Sequence, residues 1–325
     1  MNATAKFLQD LYYRFFKNFV DLSGGLDHRE RIYAVAKTIG IWRARRGYVG
    51  RGWSREKYLS TIRRIFPEVP KERAEELLRS YWINHQKKFM DLFLTRDLDE
   101  EKLPGWISFQ GLEHLDRALQ KGKGVILPVP HIGNERLHHI ALAVKGYPMA
   151  VISSRYEDHG SFAQKMKLDA TRRFHEIGHP GDSVWLLKML KENRILQIAC
   201  DAEPDANSVL VEFLGQEIYF PSGWVRLALK TGAGVLLSAL IRRDRDRYLL
   251  VLQPEFELRR DAPQGQILQD NVRRFMDGVA ELYRAYPDQV DWMNLTVRLE
   301  ETAMMRCNGS KRSIQDQKLG ATSSC

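Results

Sequence analysis

Val125-Ile-Leu-Pro-Val129 is an unbroken apolar run, followed at once by Pro130-His131-Ile132-Gly133-Asn134. A short run with no polar alternation is what a strand covered on both faces looks like, and such strands belong to parallel sheets. Upstream, Gly111–Gln120 has helical spacing and Gly122 ends it. Downstream, a helix is expected from Asn134, a strand at Val151–Ser153, a helix over Ser161–His175 stopped by Gly178, and a helix over Ser183–Asn193. Strands are expected at Ile195–Cys200 and Val209–Leu214, then a helix capped by Ser222 and ended by Gly232. Strands at Val235–Ile241 and Tyr248–Leu252 and a long helix over Gln264–Tyr286 complete the series. Strands alternating with helices predict an α/β fold, with a mixed, mainly parallel sheet flanked by helices.

The first hundred residues have another texture. Phe7–Val20 carries Leu8, Leu11, Tyr12, Phe15, Phe16 and Phe19 at three- and four-residue steps. That stripe fits either core packing or a helix lying on a membrane surface. Asp27–Arg46 and Ser54–Phe66 read as further helices, separated by the Gly-rich stretch Gly47–Gly52. Pro70 opens a long helix with Leu77, Leu78, Tyr81, Trp82, Phe89 and Phe93 on one side. The predicted organisation is an N-terminal helical region at 1–103, an α/β unit at 104–301 and an unstructured polar tail at 302–325.

The 325 residues are 44% hydrophobic and 28% charged, which excludes a disordered chain and allows a real core. No apolar run approaches the roughly 18 residues of a spanning helix, and Met1–Lys6 does not open a signal peptide. Three cysteines, Cys200, Cys307 and Cys325, lack metal-ligand spacing and suggest a reducing compartment. The net charge of +9 is concentrated: residues 28–74 hold thirteen Lys/Arg and four Asp/Glu, and the rest of the chain balances. Such a segment reads either as a solvated face or as a surface for a polyanion, such as anionic lipid, nucleic acid or an acidic carrier protein. It has no nucleic-acid motif, so nucleic acid is not expected.

Among nine histidines, His131 stands out. It follows the buried-strand pattern directly, where ligands and reacting groups of open α/β sheets gather. Gly133 would let backbone approach a reacting group closely, and the helix opened by Gly133-Asn134 would offer N–H donors to a developing oxyanion. His138 and His139 read as packing or surface residues, and His175 and His179 as helix-end residues.

The stretch Phe109-Gln-Gly-Leu-Glu-His-Leu-Asp-Arg-Ala-Leu-Gln-Lys-Gly-Lys-Gly-Val-Ile-Leu-Pro-Val-Pro-His-Ile-Gly-Asn134 resembles the active-site lead-in of the bacterial lipid A biosynthesis (lauroyl/myristoyl) acyltransferases, within the lysophospholipid acyltransferase superfamily. Arg64-Ile-Phe-Pro-Glu68, Asp201, Val211-Glu-Phe-Leu-Gly215, Pro221-Ser-Gly-Trp-Val-Arg-Leu-Ala-Leu-Lys-Thr-Gly-Ala233 and Tyr286-Pro-Asp-Gln-Val-Asp-Trp292 extend the similarity, in order, across residues 55–295. The resemblance implies transfer of an acyl chain from an acyl carrier protein or coenzyme A thioester to a hydroxyl or amine of a lipid-like acceptor. It implies a histidine as general base, an acidic residue five positions later that orients it, and neither metal nor cofactor. The aromatic stripe of Phe7–Val20 and the basic segment add the expectation of a cytoplasmic protein held peripherally on the inner face of the membrane, against an anionic surface.

One position departs from this pattern. The fifth residue after His131 is Arg136, and the acid comes one step early, as Glu135. Because each helical residue turns by about 100°, Glu135 does not simply replace the missing carboxylate. Three outcomes stay open: a shifted helix start that brings Glu135 into reach, a carboxylate from another loop, or a lost dyad and a protein that binds without turnover. Asp201 is the best carboxylate from elsewhere, since it follows the strand Ile195–Cys200, with Glu203 and Asp205 close behind. Gly223, Arg155, Arg172 and Arg173 are further candidates for substrate contact. Cys200 reads as structural, and Trp292 and Met293 as packing.

Overall fold

The computed structural model describes residues 3–46, 54–152, 176–178, 181–205, 207–261, 263 and 266–321. The helices α1 (Ala3–Leu22), α2 (Arg29–Arg46), α3 (Arg55–Ile65) and α4 (Lys71–Leu94) lead into a one-turn helix, α5 (Leu103–Trp106). Then follow β1 (Ile107–Gln110), α6 (Leu112–Leu119), β2 (Val125–Val129), α7 (Glu135–Val144), β3 (Met149–Ile152) and β4 (Glu176–Gly178). The chain continues through α8 (Ser183–Lys191), β5 (Ile195–Ala199), β6 (Val209–Phe213), β7 (Gln216–Phe220), α9 (Gly223–Thr231), β8 (Gly234–Arg242) and β9 (Tyr248–Glu255). It ends in α10 (Ile267–Ala285) and α11 (Trp292–Ala321).

Seven strands form one sheet in the order β1-β9-β8-β2-β5-β3-β4. Among the described residues of this sheet only the β8–β9 pair is antiparallel and the other pairings are parallel, while β6 and β7 form a separate antiparallel pair. The expected mixed, mainly parallel α/β sheet is therefore what the chain forms. β2 is central, registered with β5 from Val125↔Ile195 to Val129↔Ala199 and with β8 at Val125↔Gly234. All five of its residues are buried, which is why it reads as an apolar run.

Two apolar clusters cover the two faces. Ile126, Leu196, Val235 and Leu237 pack with α3, α9 and α10 on one side, while Val125, Leu127, Ile195 and Leu236 pack with α1, α2 and α7 on the other. Consecutive residues fall into opposite clusters because strand side chains alternate with period two. α4 serves both faces: Leu77, Leu78, Tyr81 and Trp82 enter the first cluster, and Met90, Phe93 and Leu94 the second. The N-terminal helices thus share their cores with the sheet.

Several local expectations need correction. β1, β4 and β7 are further strands, three to five residues long, that the sequence pattern does not reveal. Gly178 lies in β4 rather than at a helix end. The Ser222 hydroxyl does not cap α9 but donates to the Asn207 carbonyl at 2.6 Å. Beyond residue 302, where an unstructured tail is expected, α11 continues. Buried Thr302 accepts from the Tyr219 amide at 3.1 Å, and Arg306 pairs with Glu217, tying this part of the helix to β7. The Gly47–Gly52 stretch, Ser153 and the expected helix over 161–175 lie outside the described residues. Among the described residues, no helix is long and apolar enough to cross a membrane.

Candidate active site

His131 leaves the carboxyl end of β2, and Asp201 leaves the end of the neighbouring parallel strand β5. Parallel register delivers both to the same edge of the sheet. Their side chains meet there: His131 Nδ1 lies 2.6 Å from Asp201 Oδ1. A carboxylate only accepts, so Nδ1 carries the proton and Nε2 keeps its lone pair. The second oxygen, Oδ2, accepts from the His131 amide at 3.0 Å, from the Tyr283 hydroxyl at 3.1 Å and from Asn294 Nδ2 at 3.3 Å. Four donors thus hold one buried carboxylate, while the imidazole stays 15% exposed.

The electrostatics follow from this packing. Burial opposes charge on His131, but Asp201, by charge and hydrogen bond, outweighs it with help from Glu135 and Asp291, and the imidazole pKa is raised above 6.5. Burial likewise opposes ionisation of Asp201, yet His131 and the hydrogen-bond donors hold its carboxyl below the ordinary 3.8. The geometry is that of a buried carboxylate hydrogen-bonded to one nitrogen of an imidazole whose other nitrogen is left as an acceptor.

Residues Gln289–Asp291 clamp the His131 loop as an antiparallel strap. The Gly133 amide donates to the Gln289 carbonyl at 3.0 Å, and the Asp291 amide donates to the His131 carbonyl at 2.9 Å. Asp291 Oδ1 accepts from the Tyr81 hydroxyl at 3.2 Å and from the Asn294 amide at 3.1 Å. Tyr81 also stands near His85, ring centroids 5.8 Å apart. Burial depresses the His85 pKa to about 4, against the raising effect of Asp291, so this second imidazole is neutral.

Gly133 and Asn134 turn out to be architectural. Gly133 has φ +61°, and a Cβ there would sit 2.0 Å from the Leu240 carbonyl oxygen, so β8 passes too close for any side chain. Its amide is used by Gln289, and the Asn134 amide donates to Leu240 O at 2.9 Å. These two amides are therefore engaged within the fold. The Asn134 side chain caps α7 by accepting from the Leu137 amide at 3.1 Å. Its Nδ2 donates to Asp91 Oδ2 at 2.7 Å and approaches the Tyr248 hydroxyl at 3.2 Å. Asp91 also accepts from Arg242 at 3.0 Å and from the hydroxyls of Tyr33 and Tyr248. A buried ionic cluster thus lies behind the His131 loop, fastening α2, α4, α7, β8 and β9 together.

Glu135 sits in the first turn of α7 beside His131, but its carboxylate is paired with Lys88, with Arg136 Nε 3.8 Å away. Burial opposes its charge, and Lys88, His131 and Arg136 more than compensate, holding its pKa well below the usual range. Glu135 is thus a neighbour of His131 rather than its partner at Nδ1. Asp205, another acid in reach by sequence, organises its own turn through Asn207 and Ser208.

Gly223 opens α9, and an added Cβ would meet no heavy atom within 4 Å, so no close packing demands glycine there. Cys200 is fully buried and burial pushes its thiol pKa up, which leaves it inert. Trp292 packs against Phe66, centroids 5.8 Å apart, and donates to Pro287 O. His138 is buried, bonded to Gln197 and Ser238, and kept neutral by burial, with a pKa of about 4. Arg155, Arg172, Arg173, His175 and His179 lie outside the described residues. Among the described residues, no group of three or more His, Cys, Asp or Glu is arranged to hold a metal ion.

The family model for bacterial lipid A biosynthesis acyltransferases matches residues 30–299. The chain belongs to that acyltransferase family. Curated relatives include the phosphatidylinositol mannoside acyltransferase of Mycolicibacterium smegmatis, 22% identical over 63% of this chain and 69% of that protein. One from Mycobacterium tuberculosis is 27% identical over 50% of this chain and 48% of that protein. Among solved structures, the 1-acyl-sn-glycerophosphate acyltransferase PlsC of Thermotoga maritima is similar over 78% of this chain and 96% of that one, at 13% identity and a TM-score of 0.34.

Sequence reasoning about this acyltransferase missed Tyr283, Asn294, Asp291, Tyr81, His85 and Lys88. Asp291 carried a usable signal, because it falls within the Tyr286–Trp292 block. The others sit on helices whose periodicity marks them only as half-buried.

Proposed function

We propose that this acyltransferase moves a fatty acyl group from an acyl carrier protein or coenzyme A thioester to a hydroxyl or amine of a lipid-like acceptor. His131 is the general base and Asp201 its orienting partner. The observation that carries this reading is the 2.6 Å contact at Nδ1, which leaves Nε2 as the proton acceptor. The acceptor O–H or N–H gives its proton to Nε2 as its heteroatom attacks the thioester carbonyl. The tetrahedral intermediate collapses, the C–S bond breaks, and the imidazolium returns the proton to the thiolate. An ester or amide and a free thiol result.

The relatives' names make a glycosylated phosphatidylinositol the first acceptor to try. Peripheral attachment to an anionic membrane is part of the same proposal. α1 turns Tyr13, Phe16 and Val20 inward and leaves Phe7, Leu11 and Phe15 more than half exposed. Both sequence readings of this helix therefore have support, on opposite faces. Flotation with anionic liposomes at low salt tests attachment, and a protein that stays at the bottom of the gradient refutes it.

The chemical test is thioester turnover with acyl carrier protein and coenzyme A donors and a host lipid extract, beside His131→Ala and Asp201→Ala. Transfer that vanishes with His131 supports the reading. Persistent transfer in His131→Ala sinks it. Lipid or carrier binding without transfer in the wild type would favour the non-catalytic alternative that Arg136 raises.

A further inference from the structure

Asp201 is held in more ways than a charge partner for His131 requires. Oδ1 faces His131 Nδ1, while Oδ2 accepts from the His131 amide, the Tyr283 hydroxyl and Asn294 Nδ2. Two of these donors come from far along the chain. Tyr283, near the end of α10, is 82 residues from Asp201, and Asn294, in the first turn of α11, is 93. The Tyr283 ring is buried edge-on against Phe213 of β6, centroids 5.4 Å apart and planes at 83°, which fixes where its hydroxyl points. Asn294 Nδ2 also donates to the Asp201 carbonyl at 3.1 Å. Both partners of that nitrogen are acceptors, so the amide turns its NH₂ toward Asp201. The Asn294 backbone amide is engaged with Asp291 Oδ1, and the Asp291 amide in turn holds the His131 carbonyl. Asn294 therefore joins the two segments that grip the His131 loop.

The terminal torsion of an aspartate is soft, so nothing intrinsic fixes the plane of its carboxylate. Held through one oxygen, the group can swing; held through both, it cannot. The plane matters because the acceptor at Nδ1 decides which imidazole nitrogen carries the proton. We propose that Tyr283 and Asn294 are positioning residues that lock the Asp201 carboxylate, so that Oδ1 stays on the Nδ1 proton and Nε2 stays open to the acceptor's proton. The same two donors offset the cost of keeping a charge on a carboxylate buried to this degree. In keeping with that, the Tyr283 hydrogen bond is among the influences that lower the Asp201 pKa. The proposal rests on the acyl-transfer reading for its catalytic meaning, but the tautomer of His131 tests it without turnover.

Nitrogen NMR of the full-length protein with isotope-labelled histidine, recorded above the His131 pKa, reads the tautomer, and His131→Ala assigns the resonance. The wild type is expected to hold the proton on Nδ1. Tyr283→Phe and Asn294→Ala each leave the other donor in place, so each should keep that form and lower kcat by less than about tenfold. The double variant should lose the preference for Nδ1 and lower kcat by about 10²-fold with KM within about twofold, as when the outer partners of metal-bound histidines are removed. That loss exceeds the product of the single losses, because both donors serve one oxygen. Thermal midpoints are recorded for every variant. Should the double variant not fold, Asn294→Asp keeps the shape of the side chain, and an acid suits the first turn of a helix. It replaces the donor with a second carboxylate and should by itself lose the Nδ1 preference and lower kcat about 10- to 100-fold. An unchanged tautomer in the double variant, or an undiminished kcat in Asn294→Asp, overturns the proposal, since a role in folding alone moves only the thermal midpoint. A wild type that holds the Nδ1 proton, loses it in the double variant and transfers no acyl group would defeat the acyl-transfer reading and leave the positioning standing.

Discussion

Two cation–carboxylate groups lie on either side of the loop that carries His131, and they do different work. Arg242–Asp91 is sealed: the two side chains are 7% and 2% exposed, and Tyr33, Tyr248 and Asn134 use the remaining oxygen capacity of Asp91. Its cation cannot lose a proton in water, so the group can only fix shape. His131–Asp201 has a similarly buried carboxylate, but its partner is an imidazole, which can give up its proton and stays partly exposed. The same arrangement becomes a proton acceptor when the partner is imidazole and solvent reaches it. Asn134 links the two, capping α7 three residues after His131 while donating to Asp91.

The comparison breaks most visibly at His131. His131→Ala should lower acyl transfer by about 10⁴-fold while shifting unfolding free energy by no more than about 1 kcal/mol. Asp201→Asn should cost up to about 10⁴-fold in transfer rate, since it removes the carboxylate charge and lets an amide N–H favour the wrong tautomer. Asp91→Ala should do the reverse and destabilise the fold by about 3–5 kcal/mol, because it leaves the Arg242 guanidinium buried and unpaired. Urea unfolding and initial rates on the same preparations check all three. If Asp91→Ala spares stability but abolishes transfer, the division between a shaping group and a reacting group is wrong.

The sheet was legible because its central strands are covered on both faces, and Val125–Val129 and Val235–Ile241 advertise that as apolar runs. β1, β4 and β7 were not, because their three to five residues lack the unbroken apolar run that marks the equally short β2. The places of His131 and Asp201, each at the exit of a strand, were legible from the runs that precede them. What no local pattern could decide was which acid reaches Nδ1. Glu135 is four residues away in sequence, and Asp201 is 70, yet parallel register between β2 and β5 brings the distant one into contact. The Asp91–Arg242 cluster was invisible for a similar reason: its members come from α2, α4, α7, β8 and β9, each an ordinary polar residue on its own element.

The smallest effect is the most discriminating, because it concerns the position of a titration rather than its size. A general base must be neutral to act, so transfer should rise with pH through the His131 pKa, which lies above 6.5 in the wild type. Asp201→Asn removes the main influence holding that pKa up and leaves only Glu135 and Asp291 to oppose burial, so its midpoint should fall below 6.5. Glu135→Gln removes a lesser one: the midpoint should move down by less than about one pH unit, with rates at high pH changed by less than about tenfold. Stability must show the complementary sign. A histidine whose folded pKa exceeds its unfolded one contributes fully below about 6.5, and that contribution is lost as pH rises through the folded value. Unfolding free energy of the wild type should therefore decline with rising pH just where transfer climbs, and Asp201→Asn should lack that decline. If Glu135→Gln moves the midpoint further than Asp201→Asn, the helix carboxylate rather than the strand-end one governs the base, and the assignment of partners reverses.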